Sequence, residues 1–342
     1  MRLQSCVPPL KPEVVQILQD IDVKTDTDLL LAGDPIDIFA KLPPGHGISL
    51  KDFNHIVAQV AEVAAAAPVY GDKLFERETK RKEDVFTEDL LVGLPDVDAL
   101  LGGFNSARIV ELSGDRGSGK TALALQVALR HLAHVGDSSV LWIDSAGEFS
   151  PERVALVLEQ IGGPHSATAL ERLQVSLAFD IEAVHAVLEE LRQSLTIAQG
   201  DGVQGTRCII IDSIASLLGP MLSATSSQGH ATMTTFMHQL RALAELFSLT
   251  IIVTNSSTSL GQKNPKPRNP DAVFEIRRKP ALGPSFTFLT DATLWLSKRR
   301  PEPDNRVDEG STLHTVEVMR SRSARSKTWA RFKIRNGLIV EP

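Results

Sequence analysis

Hydrophobic positions change their period twice along the chain. Val14, Ile17, Leu18 and Ile21 recur at helical spacing, and shorter apolar groups follow at Leu29–Leu31 and Ile36–Phe39, interrupted by Gly33, Pro35 and the Pro43-Pro44-Gly45 turn. Ser49 precedes Phe53, Ile56, Val57 and Val60 and is an N-cap candidate for one more helix. These signals predict a small helical N-terminal domain over residues 1–65, with a thin core that suits docking better than catalysis. Over 66–90 the period is lost. Alternating charge, as in Glu-Thr-Lys-Arg-Lys-Glu-Asp, predicts a solvated, mobile linker whose fixed contacts come from Val69-Tyr70 and Leu74-Phe75.

From 91 to 342 the pattern becomes short apolar runs separated by helix-like stretches. The runs are Arg108–Leu112, Ser139–Ile143, Leu173–Leu177, Arg207–Ile211, Leu249–Val253 and Thr293–Leu296. Continuous apolar strands of this kind are buried on both faces, which predicts a mostly parallel twisted sheet flanked by helices. His314–Met319, Thr328–Ile334 and Leu338–Val340 look instead like antiparallel additions, the last two joined by an Asn336-Gly337 turn. The expected class is α/β.

Composition narrows this picture. With 342 residues, 42% hydrophobic and 23% charged, the chain is neither disordered nor fibrous. It has no uninterrupted apolar run long enough for a membrane span, and its first residues lack an apolar signal core, so a soluble intracellular protein is expected. Cys6 and Cys208, the only two cysteines, read as small apolar residues in a reducing compartment. The net charge of −6 is uneven: Lys263 to Arg335 carries 17 Lys/Arg against 8 Asp/Glu, the remainder 19 against 34. A basic C-terminal quarter fits either a localised polyanion contact or an uneven solvated surface.

The sharpest motif is Gly114-Asp115-Arg116-Gly117-Ser118-Gly119-Lys120-Thr121, which matches G-x-x-x-x-G-K-[ST] between a strand and a helix. Glycines let successive N–H groups turn toward phosphates at the positive end of a helix. Lys120 is expected to reach the β- and γ-phosphates of ATP, and the Thr121 hydroxyl to ligate Mg²⁺. Asp212 ends the apolar run Cys208–Ile211 and is expected to hold the Mg²⁺ shell.

With Ile143-Asp144-Ser145-x-Gly147 before Pro151-Glu152-Arg153, and Ile252-Val253-Thr254-Asn255, these residues resemble the RecA-type recombinase core of eukaryotes, from about Leu91 to the C-terminus. A weaker similarity joins the first 65 residues to that family's helical N-terminal domain. Ala67-Pro68-Val69, Arg172-Leu173-Gln174-Val175 and Lys279-Pro280-Ala281-Leu282-Gly283 resemble its D-type branch in particular. The resemblance implies a RecA-like ATPase core that binds ATP between subunits. It also implies a role in homologous-recombination repair in the nucleus, with other recombinase paralogues as partners. A C-type paralogue would meet the core and a smaller one the N-terminal domain.

Active members carry a glutamate base where Ala146 stands, and a γ-phosphate-sensing glutamine where Ser256 stands. Glu148 is either a displaced base or a surface carboxylate on a loop. ATP binding is therefore expected more firmly than fast hydrolysis. The segment 256–284 corresponds to the family's second DNA-binding loop, and Lys263, Lys266, Arg277, Arg278 and Lys279 are its candidate contacts to single-stranded or branched DNA. Phe274 could stack on a base or pack locally. Pro220–Gly229, at the first such loop, is a DNA contact or a plain connection, and Arg320–Lys327 is a phosphate site or an exposed hairpin. Three functions remain open: a nucleotide-binding mediator, a self-sufficient strand-exchange ATPase, and an adaptor whose nucleotide site only stabilises an interface.

Overall fold

The computed structural model describes residues 2–6, 10–45, 47–65, 69–84, 90–104, 108–201, 205–222, 227–259, 278–299 and 310–342. The chain divides into two compact units, Met1–Phe86 with Ser223–Gln239, and Thr87–Leu222 with Leu240–Pro342.

In the first unit, α1 (Pro12–Asp20), α2 (Asp26–Leu31), α3 (Pro35–Phe39) and α4 (Leu50–Ala64) surround a core that includes Leu3, Leu18, Leu29, Phe53 and Val60. Ser49 is the N-cap of α4: its hydroxyl accepts from the Asp52 N–H while the Asp52 carboxylate accepts from the Ser49 N–H. The 66–90 stretch differs from the irregular connection expected of it. Gly71–Asp84 forms helix α5, in which Lys73 pairs with Glu76 at 2.9 Å. Lys73 and Glu76 fall three apart on the helix surface, where opposite charges support a helix. Tyr70, Leu74 and Phe75 are exposed.

The second unit is built on one sheet, preceded by the short helix α6 (Pro95–Asp98). Along the chain its strands and helices alternate as β1 (Arg108–Gly114), α7 (Lys120–His134), β2 (Ser139–Asp144), α8 (Pro151–Ile161), α9 (Ser166–Ala169), β3 (Leu173–Leu177), α10 (Ile181–Asp201), β4 (Thr206–Asp212), α11 (Ile214–Leu218), α12 (Ser227–Phe247, counted in this unit from Leu240 on) and β5 (Thr250–Asn255). A small ribbon follows, β6 (Ser257–Ser259) with β7 (Arg278–Pro280), then α13 (Gly283–Leu289), β8 (Ala292–Lys298), β9 (Ser311–Ser321), β10 (Trp329–Arg335) and β11 (Leu338–Val340). Among the described residues the sheet runs β11-β10-β9-β8-β1-β5-β4-β2-β3. Strands β8 through β3 in that order are parallel, whereas β9, β10 and β11 are antiparallel additions.

Apolar side chains on both sheet faces explain this arrangement. Ile109, Val110, Leu112, Ile209, Ile210, Ile211, Ile251, Ile252 and Val253 are buried, and Leu123, Val127, Leu129 and Leu132 seat α7 against the sheet. The exception is β3, the last strand of the sheet, where Val175 and Leu177 are exposed. Gln126 joins distant segments as a surrogate peptide, donating to the carbonyls of Val92 and Ile339 and accepting from the Ile339 N–H. Among the described residues no helix is long and apolar enough to cross a membrane.

Candidate nucleotide-binding site

The phosphate loop joins β1 to α7 at the carboxyl ends of the parallel strands, the usual ligand edge of an open α/β sheet. Gly119 has φ +102°, and a Cβ there would lie 2.9 Å from Ile334 Cδ1. A Cβ on Gly114 would drive into the Leu296 carbonyl and come within 2.7 Å of Ser118 Oγ. Both positions therefore need glycine. Lys120 Nζ donates to the carbonyls of Gly114 (2.9 Å) and Asp115 (2.8 Å), arching back over the loop. Burial pulls its ammonium below the usual lysine range, against the opposing pull of Asp212 and Asp115. An anion beside it would favour the charged form. Gly117, Ser118 and Arg116 complete the loop, with Arg116 almost wholly exposed and the buried Ser118 hydroxyl lacking a partner.

Across from the loop, Thr121 Oγ1 donates to Asp212 Oδ2 at 2.9 Å, and Thr254 Oγ1 donates to Asp212 Oδ1 at 2.5 Å. Burial raises the Asp212 carboxyl, while those hydroxyls and Lys120 pull it back down. The pairing of Thr121 with Asp212, 91 positions apart, assembles the two parts of the phosphate and metal site read from sequence. Among the described residues no group of three or more His, Cys, Asp or Glu could hold a metal. One hydroxyl and one carboxylate nevertheless suit Mg²⁺, which takes most of its remaining ligands from water and substrate phosphates. The unpartnered Ser118 hydroxyl and the inward-facing ammonium fit a bound polyphosphate.

The carboxylate of Asp144 accepts from the N–H groups of Ala146 (2.9 Å), Gly147 (2.8 Å) and Phe149 (2.9 Å), which fixes the loop after β2. Ala146 contributes no proton-accepting side chain there. Glu148 reaches Arg116 of the phosphate loop at 3.5 Å, with both side chains largely exposed. Its carboxylate thus lies at the rim of the loop.

Several supports of the site escaped the sequence reading. Glu111, fully buried in β1, accepts from Ser113 Oγ (2.7 Å), Asn255 Nδ2 (2.7 Å) and Thr293 Oγ1 (2.8 Å). Burial raises its carboxyl, partly offset by those donors. A charged type inside Ile109-Val110-Glu111-Leu112 was the available signal. His314 of β9 bonds the Ser118 carbonyl through Nδ1 (2.9 Å), contacts Thr312 through Nε2 (2.7 Å) and stacks on Phe332 at 5.3 Å. The antiparallel tail therefore braces the phosphate loop from behind.

The sequence-read basic residues separate into groups. Lys263, Lys266, Phe274 and Arg277 lie outside the described residues, as does 223–226 of the first candidate loop. Arg278 and Lys279 stand on β7, where the ribbon with β6 closes the base of the 260–277 segment. Arg278 pairs with Asp115 at 2.7 Å, and Ser257 Oγ donates to the same carboxylate. In the basic group 320–327, Arg320 at the end of β9 donates to the Thr287 and Thr290 carbonyls and Arg322, just after the strand, pairs with Asp291 at 3.2 Å, so two of its cations hold the fold together.

Comparison with known proteins places these features in context. The Rad51 family profile matches residues 83–307. The chain is 32% identical over 293 residues to "DNA repair protein RAD51 homolog 4" of Bos taurus, covering 84% of this chain and 82% of that protein. It is 30% identical over 292 residues to the protein of the same name in Mus musculus, with the same coverage. A crystal structure of the RadB recombinase, 24% identical, superimposes with a TM-score of 0.52 over 74% of this chain and 99% of that one, which shows a shared fold. With a phosphate loop, an Asp212 strand and a RecA-like sheet carrying antiparallel C-terminal strands, the chain belongs to the Rad51 family.

Proposed function

We propose that this protein is an ATP-binding recombinase paralogue that serves homologous-recombination repair as a mediator within a complex of paralogues. The observation that carries the reading is the assembled phosphate site, Lys120 over the loop and Thr121 against Asp212, beside an Ala146 that supplies no base. The relatives named for DNA repair support the cellular role. A C-type paralogue is the proposed partner of the core and a smaller paralogue that of the helical N-terminal domain. Single-stranded or branched DNA is the proposed ligand of Lys263, Lys266, Arg277, Arg278 and Lys279, and the nucleus the place of action. The domain boundaries 1–65, 66–90 and 91–342 belong to the same reading.

Bound Mg²⁺-ATP would supply a polyphosphate with a transferable phosphoryl group and a metal that offsets its charge. Lys120 would hold the phosphates as a point charge, the loop N–H groups of Gly117, Ser118 and Gly119 would orient them, and Thr121 and Asp212 would hold the metal shell. Glu148 is the candidate replacement for the missing base, and its position at the Arg116 rim favours a second reading in which a partner-ordered loop allows slow turnover.

ATP binding and turnover of the purified chain, with and without single-stranded DNA and beside Lys120→Ala, test this. The expected result is binding with little turnover, and at least a tenfold loss of affinity in the variant. Equal affinity in both proteins would remove the nucleotide assignment. Brisk, DNA-stimulated turnover dependent on Lys120 would put the strand-exchange ATPase first.

A further inference from the structure

Strand β10 carries a row of charge that no part of the nucleotide site uses. Its side chains alternate: Ala330 and Phe332 are buried and Ile334 partly so, while Trp329, Arg331, Lys333 and Arg335 occupy the opposite face. Trp329, Arg331 and Arg335 are exposed and Lys333 is half-buried. Alternate strand residues sit about 6.7 Å apart, so the three cations form a straight, evenly spaced line. Their cross-strand neighbours are uncharged: Thr315, Leu313 and Ser311 on β9, and Val340 and Leu338 on β11, opposite Lys333 and Arg335. Glu317, opposite Trp329, is buried, and burial raises its carboxyl against the weaker pull of Lys327. Among the described residues Arg331, Lys333 and Arg335 have no carboxylate within ion-pair distance.

At the head of the row, the Arg331 guanidinium carbon stands 5.3 Å from the Trp329 ring centroid, and the indole is 41% exposed. An exposed aromatic with a cation beside it, followed by regularly spaced cations, is the combination that holds single strands by stacking and phosphate contact. Stacked nucleotides repeat their charge about every 3.4 Å along each strand, so a two-residue step meets every second phosphate.

We infer that the outer face of β10, from Trp329 through Arg331 and Lys333 to Arg335, is a docking track for the backbone of single-stranded nucleic acid. This track is separate from the 263–279 group and rests on the nucleic-acid part of the reading above.

Salt titration of the full chain against labelled oligothymidine tests it. The variant Arg331→Gln/Lys333→Gln/Arg335→Gln, whose retained melting temperature establishes that it folds, should lower the slope of log affinity against log salt by about 2, since each lost single-strand phosphate contact is worth about 0.7. Trp329→Ala should weaken binding by roughly tenfold with the slope unchanged, because stacking carries no counterion release. A control variant replaces Lys263, Lys266, Arg277, Arg278 and Lys279 by Gln. An unchanged slope in the β10 variant, with binding lost in the control, would overturn this track and leave DNA binding with the other group. Loss in the β10 variant alone would support the track and remove the earlier assignment. A parent that binds no oligothymidine at low salt would sink both. Polyglutamate of equal charge competing as well as oligothymidine would assign the face to an acidic protein and overturn the nucleic-acid inference.

Discussion

His131 shows how a single burial decides chemistry. It lies on α7 with Nε2 at 2.8 Å from Ser138 Oγ, while its buried Nδ1 has no partner. Burial, with the nearby Arg207 and Arg172 cations, pulls the imidazole down to about 4, against the weaker pull of Asp137. The native state thus holds it neutral. In the unfolded chain the ring takes a proton near pH 6.5, so unfolding gains a proton that folding refuses. Its contribution to stability is whole above about pH 6.5 and is lost as pH falls toward about 4, by up to about 3 kcal/mol. Melting temperatures of the parent and His131→Gln, followed from pH 7 to pH 4.5, should diverge at the alkaline end and converge on acidification. Parallel curves would show that His131 does not titrate with unfolding. By contrast Cys208, pushed up to about 12 by complete burial, stays a thiol throughout this range.

At the scale of elements, α7 carries the phosphate loop at its N-terminus and needs its C-terminus held. Arg172, just before β3, does this: Nη1 donates to the carbonyls of Val135 (2.6 Å) and Ser138 (2.9 Å), and Nη2 to those of Leu132 (2.6 Å) and His165 (3.2 Å). Removing the guanidinium strands several carbonyls that α7 and its following turn cannot satisfy. Arg172→Ala should cost about 3 kcal/mol, a fall in melting temperature of roughly 6–12 °C, with Arg172→Lys recovering less than half for want of the planar fork. Thermal melts of the three proteins check this, and an alanine variant within 2 °C of the parent would contradict the cap. The parallel strands were legible because burial on both faces writes itself as unbroken apolar runs, from Ile109 to Leu112 and from Cys208 to Ile211. The phosphate loop was legible because its glycines are required by backbone geometry, and the Thr121–Asp212 pair because its chemistry fixes both ends. Helix α5 was missed since charge pairs do not show an apolar period. Arg172, His314 and Glu111 were missed for a different reason: their partners are set by the meeting of distant segments, which local pattern does not encode.

Within the sheet-bearing unit, Asp115 of the phosphate loop pairs with Arg278 of β7, a residue of the basic C-terminal quarter. With Ser257 bonded to the same carboxylate, the base of the 260–277 segment is tied directly to the loop that would hold phosphates. Asp115 beside a polyphosphate would be a liability unless its charge were matched, and Arg278 is the cation placed to match it. Arg278→Ala should lower ATP affinity by about two- to fivefold, the range of a partly exposed ion pair. Asp115→Asn should have a smaller effect, and the double variant should bind ATP better than Arg278→Ala alone, because the unmatched carboxylate is then gone. Equilibrium ATP titrations of the four proteins complete the cycle. If the two substitutions are additive, the pair carries no coupling and the ribbon is only a neighbour of the site. If they are coupled, a ligand that draws Arg278 away from Asp115 should weaken ATP binding, and by reciprocity ATP should weaken that ligand by the same factor. Nucleotide and polyanion would then compete for one arginine, and their joint occupancy would be set by that single surface contact.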